Sequence, residues 1–499
     1  MHHVQTPSTV VSHVISPRSI DEALEYMARP NVRPIAGGTD LMVELDRGEH
    51  RELETLIDLS RVPGLDTIKN VDGAVTVGPL VTHNQCVASD VLRAAAPLLV
   101  QASWEVGSPQ LRNRATIAGN VVTASPANDT LSALMALDAT VTVASAARGE
   151  RTIALHQFHL GVRKTALEPD ELLTAIVFPA LDDSWRSIYL KLGLRRAQAI
   201  SVVHLAAMAR FDGSVVTEAR LALGSVAPTI VRVSAAEQLL VGKTLDDRLI
   251  AEAAATAQAA VTPIDDLRAP AEYRTAMVGE MTERALQALR LDGRPSAGAA
   301  PVLPPDPPLL WGQPVGEQPF GRSPSGPEFA ADLDATSLIS TTINGTAVEA
   351  QGAGLSLLDW LRDRSFTGVK EGCAEGECGS CTVDLDGMAV LSCLVPATRA
   401  AGATIVTIEG LAQNGQSNGD DLPPQLHPLQ QAFIDTGAVQ CGFCIPGFLM
   451  SGSKLLEEHP DPTEEQIKSG LSGNLCRCTG YYKIEDAVRV ALLGDGSKA

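Results

Sequence analysis

The sequence predicts an α+β protein of several domains, and three observations lead to that prediction. A chain of 499 residues is long enough for three or four domains. Residues 1–292 mix helical and strand patterns, and a stretch rich in Pro, Gly and Ser begins near residue 293. Eight of the nine cysteines lie beyond that stretch. We therefore expect a mixed α/β first part, a linker and a cysteine-bearing last part.

Local patterns place helices and strands in the first part. Ser19 followed by Glu22 predicts a capping box at a helix start, and "VRPIAGG" predicts a buried strand that ends in a glycine turn. "AVTVGPLVTHNQ" and "ATVTVASAA" predict two more strands, whereas "DDRLIAEAAATAQAAV" and "YRTAMVGEMTERALQAL" predict helices. Cys86, His83 and His204 are interpreted as structural residues.

Residues 293–336 are predicted to form the linker, because this composition cannot bury a core. Trp311 and Phe320 are the two residues in it that we expect to dock onto a folded surface. After the linker, "STTINGTAVEA" and "CTVDLDGMAVLSC" predict hairpins that turn at Asn344-Gly345 and Asp386-Gly387.

Beyond residue 425 the pattern is helical. "FCIPGFLMSGSKLLEEH" predicts one helix, and a capping box of Thr463 and Gln466 begins the next. "KIEDAVRVALL" predicts a third helix.

Charge and hydropathy exclude two classes of partner. The net charge of −20 argues against nucleic acid, which attracts basic surfaces. No apolar run reaches the roughly 18 residues of a membrane helix, and the N-terminus lacks a charged region followed by an apolar one. We therefore expect a cytoplasmic protein, in which clustered cysteines indicate metal or redox chemistry rather than disulfides.

The first cysteine set has the spacing C-x4-C-x2-C-x11-C, which is typical of a plant-type [2Fe–2S] cluster. Gly372, Gly376 and Gly379 let backbone amides turn toward the sulfurs. A structural zinc site also takes four cysteines, but zinc ribbons usually carry two similar C-x2-C knuckles. The four residues are Cys373, Cys378, Cys381 and Cys393.

The second cysteine set has the spacing C-x2-C-x31-C-x-C, which by itself fits either zinc or an iron–sulfur cluster. The intervening residues predict a helical hairpin that returns the second pair of cysteines to the first pair. Pro446 suits a helix start, where free amides face anionic sulfur. The four residues are Cys441, Cys444, Cys476 and Cys478.

These motifs resemble the molybdenum hydroxylases, the xanthine dehydrogenase and aldehyde oxidase group. "GCAEGECGSCTV" is similar to the group's ferredoxin-like domain, and "QCGFCIPGFLMSG" with "GNLCRCTGYYKI" is similar to its second, helical cluster domain. The resemblance implies that both cysteine sets bind [2Fe–2S] clusters. It also implies that Gln440 and Cys478 lie against a molybdopterin cofactor.

The first part resembles the group's flavoprotein through "RPIAGGTDLMVEL" and "RNRATIAGNVVTASPANDTLSALMALDA". From the residues alone, the strand-to-helix turn of Ala36, Gly37, Gly38 and Thr39 is a possible phosphate site, and Thr116, Gly119 and Asn120 form a second small-residue loop. The resemblance implies that both stretches bind FAD, with Asp129 on the ribityl chain and Lys191 near the flavin ring. Thr39 and Asp40 complete the first FAD-binding stretch.

The resemblance also implies the domain order. We expect a two-subdomain FAD-binding module at 1–180 and a flavoprotein C-terminal domain at 184–292. The 293–336 linker then leads to a β-grasp ferredoxin-like domain at 337–412 and an all-α [2Fe–2S] domain at 413–499. Fused relatives commonly place the iron–sulfur part first, so the order here is reversed. A flexible linker of this length spans on the order of 35 Å, which is enough to keep the arrangement.

The expected function is electron transfer within an oxidoreductase. A large partner subunit would carry the molybdopterin and the substrate pocket, and no residue of this chain would be catalytic. Electrons would leave through FAD to NAD, a quinone, a cytochrome or oxygen, in a dimer of heterodimers. Purines, N-heteroaromatics, aldehydes and carbon monoxide remain open as substrates. A stand-alone flavin and iron–sulfur carrier and a zinc-stabilised scaffold are the alternatives.

Overall fold

The computed structural model describes residues 11–290, 303–312, 331–412 and 426–492. It divides the chain into two compact units. The first unit comprises Met1–Pro63, Gly107–Ala115 and Pro305–Ala499, and the second comprises Gly64–Val106 and Thr116–Pro304. The prediction for Phe320 lies outside the described residues.

The strands are numbered in chain order over the described residues. They are β1 (His13–Ser16), β2 (Val32–Ile35), β3 (Thr55–Asp58), β4 (Ile68–Val71), β5 (Ala74–Val77), β6 (Thr140–Ser145), β7 (Gly149–Ala154), β8 (His159–Gly161), β9 (Lys164–Thr165), β10 (Leu172–Pro179), β11 (Trp185–Gly193), β12 (Ser201–Asp212), β13 (Val215–Gly224), β14 (Val231–Arg232), β15 (Ala331–Asp334), β16 (Ile339–Ile343), β17 (Thr346–Ala350), β18 (Thr382–Leu385), β19 (Met388–Leu391) and β20 (Thr404–Val406).

The α-helices are numbered in the same way. They are α1 (Ile20–Met27), α2 (Leu41–Asp46), α3 (His83–Ala88), α4 (Asp90–Ala95), α5 (Pro97–Trp104), α6 (Pro109–Arg112), α7 (Ile117–Thr123), α8 (Asp129–Ala136), α9 (Leu155–Phe158), α10 (Ser234–Leu240), α11 (Asp247–Ala259), α12 (Ala271–Arg290), α13 (Leu357–Arg362), α14 (Ile408–Leu411), α15 (Pro428–Asp435), α16 (Ile445–Glu458), α17 (Glu464–Gly470) and α18 (Tyr482–Leu492). None of these described helices is both long enough and apolar enough to cross a bilayer.

The first unit contains two larger sheets and a helical part. One sheet has the order β15-β1-β3-β2, in which β1, β3 and β2 are parallel. The other has the order β17-β16-β20-β18-β19, the mixed sheet of a β-grasp domain, and Trp360 of α13 is fully buried in its core. Helices α15, α16 and α18 enclose a separate apolar core around Phe433 and Phe448.

The second unit is built on two antiparallel sheets, β4-β5-β10-β6-β7 and β11-β12-β13-β14. Helices α5 and α8 pack against the second of these sheets on one side, and α11 and α12 pack together on a core that includes β12 and β13. His204 is fully buried there, and its ring nitrogens contact Ser132 Oγ at 2.8 Å and the Pro126 carbonyl at 3.1 Å. These contacts support the structural interpretation of His204.

Local predictions agree well with the observed elements. Both hairpin turns have positive φ at their two central residues, as a type I′ turn requires, and the α17 capping box is complete. At α1, Ser19 accepts from the Glu22 amide, but the Glu22 carboxylate accepts from the Arg18 amide instead of closing the box on Ser19. Helix α1 therefore has half of the predicted cap.

The expected linker differs from a simple tether in two places. Residues 331–334 form β15, which pairs antiparallel with β1. Leu309 and Leu310 are fully buried and Trp311 is 3% exposed, so the expected docking of Trp311 is seen. Glu458 explains this burial, because its carboxylate accepts the backbone N–H groups of all three residues at 2.6–3.2 Å.

Candidate functional site

The first cysteine set lies on the loop before β18 and on the 3₁₀ turn after β19. The hairpin brings Cys393 beside Cys381, and Cys373 lies beside Cys378. The Cys373 sulfur accepts the amides of Glu375 at 3.4 Å and Glu377 at 3.2 Å. Amide donors of this kind stabilise thiolate and cluster charge.

The second cysteine set lies before α16 and between α17 and α18. Helices α16 and α17 form the expected hairpin, and the sulfurs again lie two by two, with Cys441 beside Cys478 and Cys444 beside Cys476. The Cys476 sulfur accepts from Thr479, through its amide at 3.4 Å and its hydroxyl at 3.1 Å.

The pairwise arrangement of the sulfurs favours a cluster over zinc. A tetrahedral zinc with Zn–S near 2.3 Å needs four sulfurs roughly 3.8 Å from one another. In the part of the chain that the structure describes, only Glu44, Glu49 and His50 bring three metal-ligand atoms within 4.8 Å of one another. Two pairs of sulfurs, one pair for each iron, instead fit a [2Fe–2S] cluster in both sets.

A polar contact joins the two cysteine sets. The Leu475 amide donates to the Cys378 carbonyl at 2.9 Å, and Leu475 directly precedes Cys476. Asn474 is 2% exposed, donates to the Gly379 carbonyl at 3.1 Å and accepts from Gln110 at 2.9 Å. One hydrogen bond therefore links the backbone of a ligand in one set to the residue beside a ligand in the other.

The first of the two stretches that are expected to bind FAD forms the turn between β2 and α2. A Cβ on Gly37 would lie 2.3 Å from the Arg114 carbonyl, and Gly38 has φ +89°, so both positions need glycine. In the described part of the chain, the N–H groups of Gly37, Gly38 and Thr39 donate to no protein acceptor. These amides are free to bind an anion, which fits the pyrophosphate of FAD.

Ala36 precedes these glycines, and Asp40 is the exposed residue directly before α2, where its side chain does not cap the helix.

The second stretch that is expected to bind FAD lies in the second unit. Thr116 is the N-cap of α7 and accepts from the Gly119 amide at 2.9 Å, so the expected loop is instead a helix start. The Asn120 side chain accepts from Thr130 at 2.8 Å.

Asp129 and Lys191 form a buried ion pair in the second unit, with Nζ 2.8 Å from Oδ2. The other carboxylate oxygen of Asp129 accepts from Tyr189 at 2.9 Å and from Ser201 at 2.5 Å. Lys191 also donates to the Glu105 carbonyl at 2.8 Å. Asp129 therefore positions Lys191. The role of Asp129 on the ribityl chain stays a prediction.

Four exposed apolar side chains lie within a few residues of the cysteines of the second set and are called the apolar rim below: Val439, Phe443, Leu475 and Tyr482. Phe443 is 47% exposed and Tyr482 is 79% exposed. Gln440, Cys441 and Cys478 are exposed beside the rim. This face differs from a typical protein surface, which does not group large apolar side chains around a reactive site.

Sequence reasoning missed the residues that connect these parts. Asn474 and Leu475 were not singled out, nor was Arg399, which contacts the Ala36–Gly38 turn. The sequence offers one indication for Leu475, which directly precedes Cys476, and no comparable indication for Arg399.

Four families match successive parts of the chain. Residues 9–181 match the FAD binding domain in molybdopterin dehydrogenase, and residues 188–289 match the CO dehydrogenase flavoprotein C-terminal domain. Residues 341–404 match the 2Fe-2S iron-sulfur cluster binding domain, and residues 407–489 match the [2Fe-2S] binding domain.

Relatives match each half of the chain separately. The carbon monoxide dehydrogenase medium chain of Hydrogenophaga pseudoflava is 33% identical over 275 residues, which are 55% of this chain and 95% of that one. A solved structure of carbon monoxide dehydrogenase from the same organism, lacking the Mo-pyranopterin moiety, has a TM-score of 0.54 and 33% identity, and the match covers 56% of this chain and 97% of that one. The nicotinate dehydrogenase small FeS subunit of Eubacterium barkeri is 52% identical over 137 residues, which are 27% of this chain and 82% of that one.

Proposed function

The chain belongs to the molybdenum hydroxylase family, as an oxidoreductase subunit that carries FAD and two [2Fe–2S] clusters, and we propose that it relays electrons within a larger complex. In this proposal a large partner subunit holds the molybdopterin and the substrate, and electrons pass through both clusters to FAD and on to an acceptor such as NAD. When bound, the clusters carry single electrons and FAD combines two of them. The chain's own part is to hold these groups close together.

The contact between the two cysteine sets carries this proposal. The Leu475 amide donates to the Cys378 carbonyl, and the buried side chain of Asn474 donates to the neighbouring Gly379 carbonyl. This contact supports direct electron transfer from the second cysteine set, called the helical set below, to the first cysteine set, called the ferredoxin-like set below.

A second contact supports the place of FAD in that order. A Cβ on Gly38 would lie 2.9 Å from the Leu394 carbonyl, and Leu394 directly follows Cys393. The turn assigned to the pyrophosphate therefore lies against the residue that follows a proposed ligand, Cys393, of the ferredoxin-like set.

The apolar rim supports a protein partner at the helical set. Burying exposed aromatic and aliphatic side chains is favourable by about 25 cal/mol per Å². Gln440 and Cys478 lie within this face, as the proposed contact with molybdopterin on the partner requires. The proposed assembly is a dimer of heterodimers.

Metal and flavin analysis of the purified complex tests the cofactor content. We expect about four irons, four acid-labile sulfides and one FAD per chain, with molybdenum on the partner. Zinc in place of iron would contradict this content.

A charged residue in the rim tests the partner. Phe443→Asp should abolish co-purification of the molybdenum subunit while iron and FAD stay bound. Val490→Asp, at the end of α18 away from the cysteines, is the matched control because Val490 is also exposed, at 38%. A Phe443→Asp chain that still binds the partner would argue against the rim, and a wild-type chain that works fully without any partner would favour a stand-alone carrier.

A further inference from the structure

Arg399 lies in the ferredoxin-like part of the chain, in the 3₁₀ turn Ala397–Ala400, yet its side chain reaches the flavin-binding part. It forms a buried ion pair with Asp58 at the end of β3, with Nη2 2.8 Å from Oδ1 and Nε 3.1 Å from Oδ2. The two side chains are only 4% and 1% exposed. A buried pair of this kind is costly to break, because the remaining charge would have no partner.

The same guanidinium also binds the turn that carries the proposed pyrophosphate site. It donates to the carbonyl groups of three consecutive residues: to Gly37 at 3.3 Å, to Ile35 at 3.5 Å and to Ala36. Arginine offers five N–H donors in a rigid fork, which is why one side chain can hold a carboxylate and several carbonyls together.

The orientation of these carbonyls determines where the amides point. In a trans peptide, the C=O of one residue and the N–H of the next point in opposite directions. Because the carbonyls of Ala36 and Gly37 point toward Arg399, the N–H groups of Gly37 and Gly38 point away from it. These are two of the amides that have no protein acceptor in the described part of the chain.

The surrounding charges favour an anion at this turn. Arg61 and Arg114 lie near Arg399, whereas Asp58 and Asp386 are the acidic groups that interact with this cluster. Burial, and then the charge of Arg399, lower the pKa of Arg114 to about 9. Three arginines against two aspartates leave an excess of positive charge beside the free amides, and a pyrophosphate would balance it.

We propose that Arg399 is a positioning residue for FAD: it holds the backbone of the Ala36–Gly38 turn so that the turn's amides face the pyrophosphate. The iron–sulfur part of the chain thereby determines how tightly the flavin part binds its cofactor. This inference rests on the proposed function, in which that turn binds the pyrophosphate of FAD.

The test compares flavin affinity in full-length variants that keep both clusters. Arg399→Lys retains the charge beside Asp58 but loses the fork, and we expect its Kd for FAD to rise at least tenfold in titrations of deflavinated protein. Arg364→Lys is the matched control, because Arg364 lies in the same domain and its guanidinium donates to the Trp360 and Gln351 carbonyls there. Its Kd for FAD should stay within twofold of wild type.

Two further readouts separate positioning from general damage. The affinity for FMN, which lacks the pyrophosphate, should change much less than that for FAD in Arg399→Lys, and the EPR signals of both clusters should stay at full intensity. The double variant Asp58→Asn with Arg399→Gln removes both charges at once, so that no buried charge is left alone, and it too should show the tenfold loss. Wild-type FAD affinity in Arg399→Lys with intact clusters, or equal losses for FMN and FAD, would overturn the inference.

Gly37→Ala distinguishes failure of this inference from failure of the proposed function. Its Cβ would lie 2.3 Å from the Arg114 carbonyl, so FAD binding should be lost if the turn is the pyrophosphate site. Normal binding in Gly37→Ala would remove the proposed site itself, whereas loss there with normal binding in Arg399→Lys would remove only the role of Arg399.

Discussion

The two cysteine sets have the same number of thiols and the same pairwise arrangement, but their surroundings differ. In the ferredoxin-like set, Cys381 and Cys393 are buried. The flavin-binding part covers the cysteine loop at two points: Gly38 packs against Leu394, and Arg47 forms an ion pair of 2.5 Å with Glu375. In the helical set, Cys441 and Cys478 are exposed within the apolar rim.

This difference shows which of the two cysteine sets is already covered by other residues of the chain. The ferredoxin-like set has its neighbour within the same chain, whereas the helical set has a face that stays exposed in the described part of the chain, where the proposed partner would bind. The reversed order of the two halves along the chain does not alter this contrast, since Gly38 and Leu394 come together across more than 350 residues of sequence.

Removing one ligand should have the largest effect. Cys393→Ser is expected to lose the ferredoxin-like cluster, about half of the bound iron, and to leave the EPR signal of the helical cluster in place. Cys86→Ser is the control, because Cys86 is buried in the second unit and its substitution should leave all iron bound. Loss of both signals in Cys393→Ser would mean that the two sets are not independent sites.

The docked segment, residues 307–311, contacts both cysteine-bearing parts of the chain, the ferredoxin-like part and the helical part, and provides the next test. Leu310 accepts from the Ala389 amide in the hairpin of the ferredoxin-like set, and Trp311 donates to Asn113 at 2.8 Å. Trp311→Ala should lower the free energy of unfolding by about 3–5 kcal/mol, as expected for a buried aromatic side chain. Denaturant titration measures it, with Pro305→Ala as the exposed control. A decrease in unfolding free energy below about 1 kcal/mol would mean that the segment contributes little to holding the ferredoxin-like and helical parts together.

Glu458, which binds the docked segment, makes the stability of the folded chain sensitive to pH. Burial raises the pKa of Glu458 from 4.5 to about 7, although the amides of Leu309, Leu310 and Trp311 act to lower it. Since the pKa is raised in the folded chain, this group stabilises the fold fully below about pH 4.5, and that contribution is lost as the pH rises to about 7.

Glu458→Gln should therefore flatten the fall in unfolding free energy between these pH values, by up to about 3 kcal/mol. His459 and Asp306 lie beside Glu458 and are kept in both proteins, so the difference between the two pH profiles reports on Glu458. Parallel profiles would show that Glu458 does not titrate in this range.

Asn474→Ala should have the smallest effect on stability. It removes the hydrogen bonds that Asn474 makes with the Gly379 carbonyl and with Gln110, and it should cost about 1–2 kcal/mol of unfolding free energy. It should also slow electron transfer between the clusters, which rapid-mixing EPR can follow. Gln431→Ala, an exposed amide on α15, is the matched control. An unchanged transfer rate would argue that Asn474 contributes stability alone.

Features that depend on neighbouring residues were predictable. The turns at Asn344-Gly345 and Asp386-Gly387 and the Thr463 cap follow from the chemistry of adjacent side chains. The cysteine spacings likewise identified both sets before their sulfurs were seen together, because a loop of fixed length limits where its ligands can lie.

By itself, the sequence determined the two cysteine sets, the glycine turn and most helices and strands, since each depends on a few consecutive residues. Only the tertiary structure decided that Arg399 reaches the Ala36–Gly38 turn, that Leu310 and Trp311 are buried in a proline-rich segment, and that β15 pairs with β1. These contacts join residues that lie far apart in the sequence, by more than 300 positions for Arg399 with the turn and for β15 with β1. The physical reason is that their energies depend on burial and alignment, which arise only when distant segments pack together.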